Sequence, residues 1–356
     1  MGSSSVAVRR RGQARPTAPV LTHRTLGLAD DAVIDLYYRM LVSRRLSEQC
    51  LRLALQGAID VSIPSDGHEA AQVASIGALR PTDLVYLYYR SLPGAYARGM
   101  SAREILLDCF GRAAGPTSGG KNLPGHWSKR DLRLMCISGS VGTQIPNAAG
   151  TALASKLRGD DAATVAYFGD GGASKADFHE GLNFAAIHRL PLVLFCENNG
   201  IAISVPFEKQ SPVPSVADRA VAYGVPGVSV DGSDPLAVYQ TMTEAADRAR
   251  RGEGPTLMEA RVKRIGQHTN QVGDLRPPDV VKAARAHDPI PRFACYLREQ
   301  GLLTNALETT LVTRAEAEVA DAVAFAEAAP VPAREAAFRD IYADRVVADL
   351  PVRSEL

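Results

Sequence analysis

The fold of this chain is decided by residues 164–200, which read TVAYFGDGGASKADFHEGLNFAAIHRLPLVLFCENNG. Two continuous apolar runs, at residues 164–168 and 192–196, have the length and composition of strands that are buried on both faces. Between them, residues 177–189 carry apolar side chains three and four positions apart, which is the spacing of a helix. A strand, a helix and a second strand in this order predict a right-handed βαβ unit in a parallel sheet.

The remaining sequence predicts the other elements of an α/β fold. Helical periodicity begins at Asp30, a plausible N-cap, ends before Gly57, and returns at residues 66–79, 145–157, 235–250, 293–300, 308–327 and 333–342. Strand-like runs occupy residues 84–89, 225–230 and 256–262. Two segments lack periodicity, namely a long loop at 111–135 and a polar, irregular stretch at 264–291. The sequence shows no internal repeat and no sharp domain boundary. Residues 30–356 are therefore predicted to form one domain with a helical C-terminal segment.

The N-terminal residues 1–29 are predicted to be a disordered basic arm. They are rich in serine and arginine, and no acidic residue precedes Asp30. The apolar core of a secretory signal is missing from this stretch, whereas a mitochondrial transit peptide has a similar composition. We therefore expect a cytoplasmic protein, or a mitochondrial matrix protein if the arm is a transit peptide.

Composition excludes several classes of protein. The 356 residues are 46% hydrophobic and 22% charged, with a net charge of +1, so the bulk charge gives no indication of nucleic-acid or acidic-membrane binding. No apolar run approaches the roughly 18–20 residues that span a bilayer. The five cysteines have no CxxC spacing and lie in apolar runs, which indicates reduced core thiols and a reducing compartment.

Both polar turns of the βαβ unit follow the carboxyl ends of parallel strands, where open α/β sheets bind ligands. The first turn contains Asp170, Gly171 and Gly172, and the second contains Asn199. A carboxylate, an amide oxygen and the backbone carbonyl of Ile201 are ligands suited to Mg²⁺, which also takes phosphate oxygens. The glycines allow backbone N–H groups to approach a diphosphate, and the following helix adds its dipole.

The spacing of these turns is similar to the thiamine-diphosphate motif, because Gly169-Asp170-Gly171 is followed, after 26 residues, by Asn198-Asn199. From about residue 30 to the C-terminus the chain resembles the α subunits of the thiamine-diphosphate-dependent 2-oxo acid dehydrogenase (E1) family. The resemblance is carried by GHEA at 67–70, YYR at 88–90, LPGHW at 123–127, VGTQIPNAAG at 141–150, ENNGIAIS at 197–204 and RIGQH at 264–268. It implies a three-layer α/β/α thiamine-diphosphate-binding fold with a parallel sheet and helical N- and C-terminal extensions.

The resemblance also implies roles for individual residues. Asp170, Asn199 and the Ile201 carbonyl would hold Mg²⁺, while Gly171 and Gly172 lie beside the diphosphate. His268, on a mobile loop over the site, would touch the diphosphate and act in catalysis. Four further positions resemble cofactor contacts, with the diphosphate at Tyr89 and Arg90 and the aminopyrimidine at Gly139 and Val141. Some branched-chain members bind K⁺ at positions that match Ser138, Thr143 and Gln144.

Two departures from the family pattern affect these expectations. Family loops commonly continue after the histidine with Ser or Thr and an acidic pair, but here residues 269–274 read TNQVGD. The order of this loop and its contact with a lipoyl domain are therefore left open. Glu197 stands where branched-chain members often carry Arg, and at this position the chain resembles pyruvate enzymes.

The resemblance implies an oxidoreductase that decarboxylates a 2-oxo acid and acylates a lipoyl carrier. The cofactor-activating Glu of this family comes from the β subunit, so we expect an α2β2 heterotetramer and a lipoyl-bearing E2 acyltransferase as partners. LPGHW, GTQIP and NNGIAIS favour a branched-chain substrate, whereas GHEA and Glu197 favour pyruvate or acetoin. A non-catalytic cofactor-binding subunit is the alternative from another class, and a nucleotide-binding protein lacks its GxGxxG or GxxxxGK[ST] loop.

Overall fold

The computed structural model describes residues 21–339, which fold around a parallel sheet. The strands of this sheet are β1 (Leu84–Tyr86), β2 (Thr164–Gly169), β3 (Leu192–Asn198), β6 (Gly227–Asp231) and β7 (Thr256–Arg261). A small antiparallel hairpin consists of β4 (Ile201–Ala202) and β5 (Val205–Pro206). The parallel strands lie in the order β1-β2-β3-β7-β6, so the predicted βαβ unit forms the centre of the sheet.

Helices cover both faces of the sheet. They are α1 (Asp30–Leu55), α2 (Glu69–Gly77), α3 (Leu92–Arg98), α4 (Ala102–Cys109), α5 (Gln144–Arg158), α6 (Ala176–Ile187), α7 (Pro235–Arg250), α8 (Pro278–Arg285), α9 (Pro289–Glu299) and α10 (Asn305–Ala328). Among the described residues, no helix is both long and apolar enough to cross a membrane.

The side chains of β2 point alternately to the two faces of the sheet and so contribute to two separate hydrophobic cores. Val165 and Tyr167 belong to the larger core, which they share with apolar residues of α1, α2, α7 and α10. Ala166 and Phe168 point to the opposite side and pack with α5 and α6. Because successive side chains of a strand face opposite ways, one apolar run fills both layers. The predicted three-layer α/β/α architecture with a parallel sheet is thereby confirmed.

Several predicted boundaries need correction. The N-cap of α1 is Ala29, and Asp30 is the first residue of the helix. The predicted irregular stretch 264–291 contains α8, because Pro278 occupies the first helical position, where its missing N–H costs nothing. The predicted helix 333–342 is a short 3₁₀ turn at Arg334–Phe338 that buries no residue, so it lacks the packed face from which helices gain stability. Residues 340–342 lie outside the described residues.

The prediction of a disordered arm over residues 1–29 is wrong for residues 21–29. His23 is fully buried, with Nδ1 2.6 Å from the Tyr296 hydroxyl and Nε2 2.9 Å from an Asp30 carboxylate oxygen. These contacts fasten the segment to α9 and to the start of α1. Residues 1–20, and with them the transit-peptide alternative, lie outside the described residues.

The cysteines agree only in part with the prediction of reduced core thiols. All five are free. Cys50, Cys109 and Cys196 are buried, whereas Cys136 and Cys295 are exposed. The core prediction is therefore wrong for the last two.

The turn before α2 brings the chain against the loop after β7. Gly67 has a positive φ of 94°, and a Cβ built on it would lie 1.9 Å from the Lys263 carbonyl oxygen. Only glycine allows this approach, because any side chain would overlap a backbone atom that is itself held in place. The first residue of the GHEA motif therefore packs this turn against the segment that leads to His268.

We predict that Gly67→Ala lowers stability far more than Gly57→Ala. Gly57 also has a positive φ, of 75°, but nothing lies within 4 Å of its Cβ position. Its substitution should cost only the left-handed backbone penalty, about 1–2 kcal/mol, whereas overlap at Gly67 should raise the loss to about 4 kcal/mol or more. The melting temperatures of the two variants, each assembled with the expected β subunit, measure the difference in stability. Equal decreases would mean that the close approach at Gly67 does not constrain the fold.

Candidate functional site

A cleft of about 510 Å³ opens at the carboxyl ends of β2 and β3. That volume is typical of sites for small ligands and cofactors. Of the residues predicted from the sequence, the cleft is lined by Tyr89, Arg90, Ser138, Gly139, Val141, Gln144, Asp170, Gly171, Gly172, Asn199, Ile201 and His268. Thr143 lies next to the lining and donates its hydroxyl to the Ser140 carbonyl, 2.9 Å away. Nearly all the predicted site residues therefore come together in one cleft.

Asp170 and Asn199 lie at the ends of neighbouring strands. Asp170 directly follows β2 and is 2% exposed, and burial raises the pKa of its carboxyl group. One of its oxygens accepts a hydrogen bond of 3.0 Å from the Gln210 side chain. The Asn199 side-chain oxygen accepts from the Ile201 backbone N–H at 3.2 Å, which fixes the turn. This pair presents a buried carboxylate and an oriented amide oxygen, a donor set that suits a hard cation.

Glu259, on the neighbouring strand β7, anchors the Asn198-Asn199 turn. The Glu259 carboxylate accepts a 2.7 Å hydrogen bond from the Asn198 side chain and others from Ser215 and the Val216 backbone N–H. These hydrogen bonds hold the pKa of Glu259 down against the effect of its burial. A satisfied buried carboxylate of this kind gives the end of β3 a fixed position.

Two buried guanidinium groups face the cleft without a carboxylate partner among the described residues. Arg90 is 2% exposed and donates to the Pro64 carbonyl at 2.5 Å. Arg264 is 3% exposed, and burial together with Arg90 lowers its pKa to about 10. The Arg264 guanidinium therefore remains charged at neutral pH. Because buried charges are usually paired, two unpaired cations beside one cleft indicate that the missing partner is an anionic ligand.

His268 lies between these two arginines. Its Nδ1 atom is 3.0 Å from Arg90 Nη2 and 3.4 Å from Arg264 Nη1, and its ring packs edge-on against Tyr89. Because a guanidinium can only donate, Nδ1 must accept, so the ring is neutral with its proton on Nε2. Burial, Arg90 and Arg264 lower the pKa of His268 to about 4.

The loop after His268, which lacks the acidic pair, is held by hydrogen bonds of Asn270 and Arg276. The Asn270 side chain accepts from the Ser62 backbone N–H at 2.9 Å and donates to the Asp60 carbonyl at 3.1 Å. Arg276 donates to the Arg264 and Gly266 carbonyls, and it also pairs with Asp274 at 2.6 Å. The departure noted in the sequence thus comes with its own set of loop contacts.

The other wall of the cleft is formed by residues 137–144. Gly139 lines the cleft, and a Cβ there would make only an ordinary contact with His126 Nε2, at 3.4 Å. Val141 is 38% exposed and presents an apolar side chain to the cleft. Gln144 is buried and donates to the Tyr167 carbonyl at 2.9 Å, which leaves its side-chain oxygen as the atom to be offered to a ligand.

Sequence reasoning missed several cleft residues. Arg264 and Tyr88 belong to motifs that carried the resemblance, and their position beside Arg90 and His268 was the available signal. Lys175 and Ile203 also line the cleft, and Gln210 contacts Asp170 from the segment after β5. Nothing local in the sequence marks Gln210, because its contact with Asp170 spans 40 residues.

Comparison with known proteins shows which family the chain is similar to. The family model described as dehydrogenase E1 component matches residues 38–335. The chain is 43% identical to the 2-oxoisovalerate dehydrogenase subunit alpha of Bacillus subtilis, over 90% of this chain and 98% of that protein. It is 38% identical to the 3-methyl-2-oxobutanoate dehydrogenase subunit alpha of Mycobacterium tuberculosis, over 86% and 82%. Identity to the pyruvate dehydrogenase E1 component subunit alpha of Bacillus cereus is 37%, over 85% and 80%.

We predict that His268 in the ligand-free protein gains its proton only near pH 4. Its depressed pKa means that the neutral ring, which accepts from Arg90, is present above this pH and is lost as the pH falls through it. The chemical shift of the His268 ring, assigned by its disappearance in His268→Gln, gives the midpoint in selectively labelled protein. Adding inorganic diphosphate should raise the midpoint, because an anion stabilises the imidazolium form. A midpoint near the ordinary 6.5 without ligand would contradict the burial and charge argument.

Proposed function

The chain belongs to the dehydrogenase E1 component family, and we propose that it is the α subunit of a branched-chain 2-oxo acid dehydrogenase. Membership of this family implies thiamine diphosphate, a β subunit and an E2 component. The reaction is oxidative decarboxylation of the 2-oxo acid with transfer of the acyl group to a lipoyl carrier. One observation carries the proposal, namely that a buried carboxylate–amide pair and two unpaired buried arginines share a single cleft.

The residues present fit magnesium diphosphate at the polar end of this cleft. Asp170 and Asn199, with the Ile201 carbonyl, would hold Mg²⁺. Arg90 and Tyr89 would bind the diphosphate oxygens together with Arg264, and Gly171 and Gly172 bring backbone N–H groups close. A bound cation and a bound anion would each neutralise a buried charge that lacks a partner, so metal and diphosphate should bind cooperatively.

The apolar end fits the organic part of the cofactor. Gly139 would contact the aminopyrimidine through its backbone, and Val141 would support the bent conformer of the cofactor. When bound, thiamine diphosphate supplies the electron sink for loss of carbon dioxide. We also propose that K⁺ binds the oxygens of Ser138, Thr143 and Gln144, since these lie in the turn that leads into α5.

His268 would act as a donor at the mouth of the cleft. With Nδ1 accepting from Arg90, the Nε2–H group is free to donate a hydrogen bond to an oxygen of the diphosphate or of the reacting substrate. An anionic diphosphate would raise the basicity of the ring, and a further proton would then go to Nδ1 in place of the hydrogen bond from Arg90. This makes His268 the residue of the chain that we place in catalysis.

A single carboxylate lines the described part of the cleft, and it is Asp170. A carboxylate that binds metal would not also hydrogen-bond the aminopyrimidine at the far end, so we propose that another chain supplies the activating carboxylate. Val141 and Ile203, 38% and 54% exposed, leave apolar surface at the cleft rim for that chain to cover. We therefore propose an α2β2 heterotetramer in which the β subunit completes the site, and a lipoyl-bearing E2 acyltransferase as the second partner.

Pyruvate is the second candidate substrate. The observation that favours it is the 37% identity to a pyruvate dehydrogenase subunit, which is close to the 38% of one branched-chain relative, although the other reaches 43%. A non-catalytic subunit is less well supported, because the altered loop after His268 keeps specific contacts through Asn270 and Arg276. Acetoin has no specific structural observation in its favour.

We predict that Asp170→Asn weakens Mg²⁺-dependent binding of thiamine diphosphate at least about tenfold, because one charge-assisted metal ligand is lost. Binding to the assembled α2β2 protein is measured by tryptophan fluorescence quenching across a Mg²⁺ titration. Asp177→Asn, in the first turn of α6, is the control for a charge change close to the site and should bind normally. Unchanged cofactor affinity in Asp170→Asn would remove this residue from the metal site.

The substrate assignment is tested by co-expressing the chain with its β subunit and measuring ferricyanide reduction with 2-oxoisovalerate or pyruvate. We expect a clear preference for 2-oxoisovalerate, and little or no turnover by the α chain alone. A preference for pyruvate would replace the branched-chain assignment. Full activity of the α chain alone would overturn the shared-site proposal, and bound cofactor without turnover of either acid would favour another substrate or a non-catalytic subunit.

A further inference from the structure

A fully buried polar cluster lies behind the cleft and takes no part in the contacts described so far. It consists of His68 and Gln72, at the start and on the first turn of α2, and Glu197 on β3, each 0% exposed. A buried carboxylate is costly unless it is paired and hydrogen-bonded, so such a cluster needs a structural or functional reason.

Glu197 is the centre of this cluster. His68 Nδ1–H donates to one carboxylate oxygen at 2.5 Å, and the Gln72 amide group donates to both oxygens, at 2.9 and 3.1 Å. His68 Nε2 has no partner among the described residues, so the contact with Glu197 is the one polar interaction of its ring there. The carboxylate is thus satisfied by two side chains from a single helix.

The cluster connects the two parts of the site that hold opposite charges. Glu197 lies two residues before Asn199 and opposite Gly169, the residue before Asp170. The Gln72 amide also donates to the Arg90 carbonyl at 3.2 Å, and its oxygen accepts from the Gly94 backbone N–H at 3.0 Å. One short chain of hydrogen bonds therefore runs from the strand end that carries the metal ligand to the loop that carries Arg90.

We propose that His68, Gln72 and Glu197 are positioning residues, which fix the Arg90 loop relative to the Asn199 turn and so set the spacing at which diphosphate and metal bind together. The proposal rests on the proposed function. It also gives the GHEA motif and Glu197 a single explanation, because His68 of that motif contacts Glu197 directly. Glu197 would then position the residues that bind the cofactor, and it would not select the substrate. In the sequence analysis the same residue favoured pyruvate or acetoin.

Four variants of the assembled α2β2 protein test this proposal. His68→Leu removes the donor to Glu197, whereas His68→Gln keeps an N–H group and is the conservative rescue. Gln72→Met keeps the volume but removes the link to the Arg90 carbonyl, and it serves as the second test if His68→Leu does not assemble. Ser75→Ala is the matched control, because Ser75 lies on the same helix and is also fully buried, and its hydroxyl contacts Tyr167 and the Gln72 backbone carbonyl but none of the cluster's side chains.

The readouts are the dissociation constant of thiamine diphosphate at saturating Mg²⁺, the melting temperature without cofactor, and the ratio of kcat/KM for 2-oxoisovalerate to that for pyruvate. We expect His68→Leu and Gln72→Met to raise the dissociation constant at least about tenfold, and His68→Gln to stay within about threefold. Ser75→Ala should lower the melting temperature without changing cofactor affinity. The substrate ratio should be the same in all four variants.

Wild-type cofactor affinity in both His68→Leu and Gln72→Met would overturn the positioning role. A shift of the substrate ratio in His68→Leu would overturn the claim that the cluster is neutral toward substrate. Both results are independent of which substrate the wild-type protein prefers, so a failure of the branched-chain assignment would be recognised separately.

Discussion

The parallel register between β2 and β3 is the constraint on which the site depends. Gly169 lies opposite Glu197, so the next residues of the two strands, Asp170 and the Asn198-Asn199 turn, emerge at the same edge. A shift of one residue would turn every side chain of a strand to the other face and move Asp170 away from the cleft. Both cores oppose such a shift, because Val165 and Phe168 are each fully buried on opposite faces.

Around this edge the chain collects charges that its own fold leaves without partners. Asp170 is a buried anion, and Arg90 and Arg264 are buried cations, yet neither arginine forms a salt bridge in the described part of the chain. Other buried ions in the same region are paired, as Arg44 is with Glu69 at 2.6 Å. The contrast separates ions that hold the fold together from ions kept available for a ligand.

Local sequence signals predicted the central βαβ unit, helix α7 and the glycine-rich turn, because strands and caps depend on neighbouring residues. Asn199 was predicted from its place after a parallel strand, whereas other cleft residues in motifs, such as His268 and Arg90, were predicted through the resemblance. What the sequence could not supply were contacts between distant segments, including Gln210 with Asp170 and Asn270 with Ser62. The predicted helix 333–342 failed for a related reason, since periodicity does not reveal whether a face finds anything to pack against.

The distribution of acidic side chains explains why we propose that this cleft needs another chain. It has side chains to hold a metal and a diphosphate, but no second carboxylate among its described lining residues. Its described lining has one carboxylate, that of Asp170, which we propose binds the metal, and three basic side chains, those of Arg90, Arg264 and Lys175. Such a surface can bind and orient a negatively charged cofactor, and cation binding at Asp170 would increase the positive charge further. These cations would lower the pKa of a further carboxyl group within the cleft and so make its carboxylate a weaker base. If the activating carboxylate belongs to a separate chain, as we propose, the cationic lining can bind the diphosphate without containing that carboxylate itself.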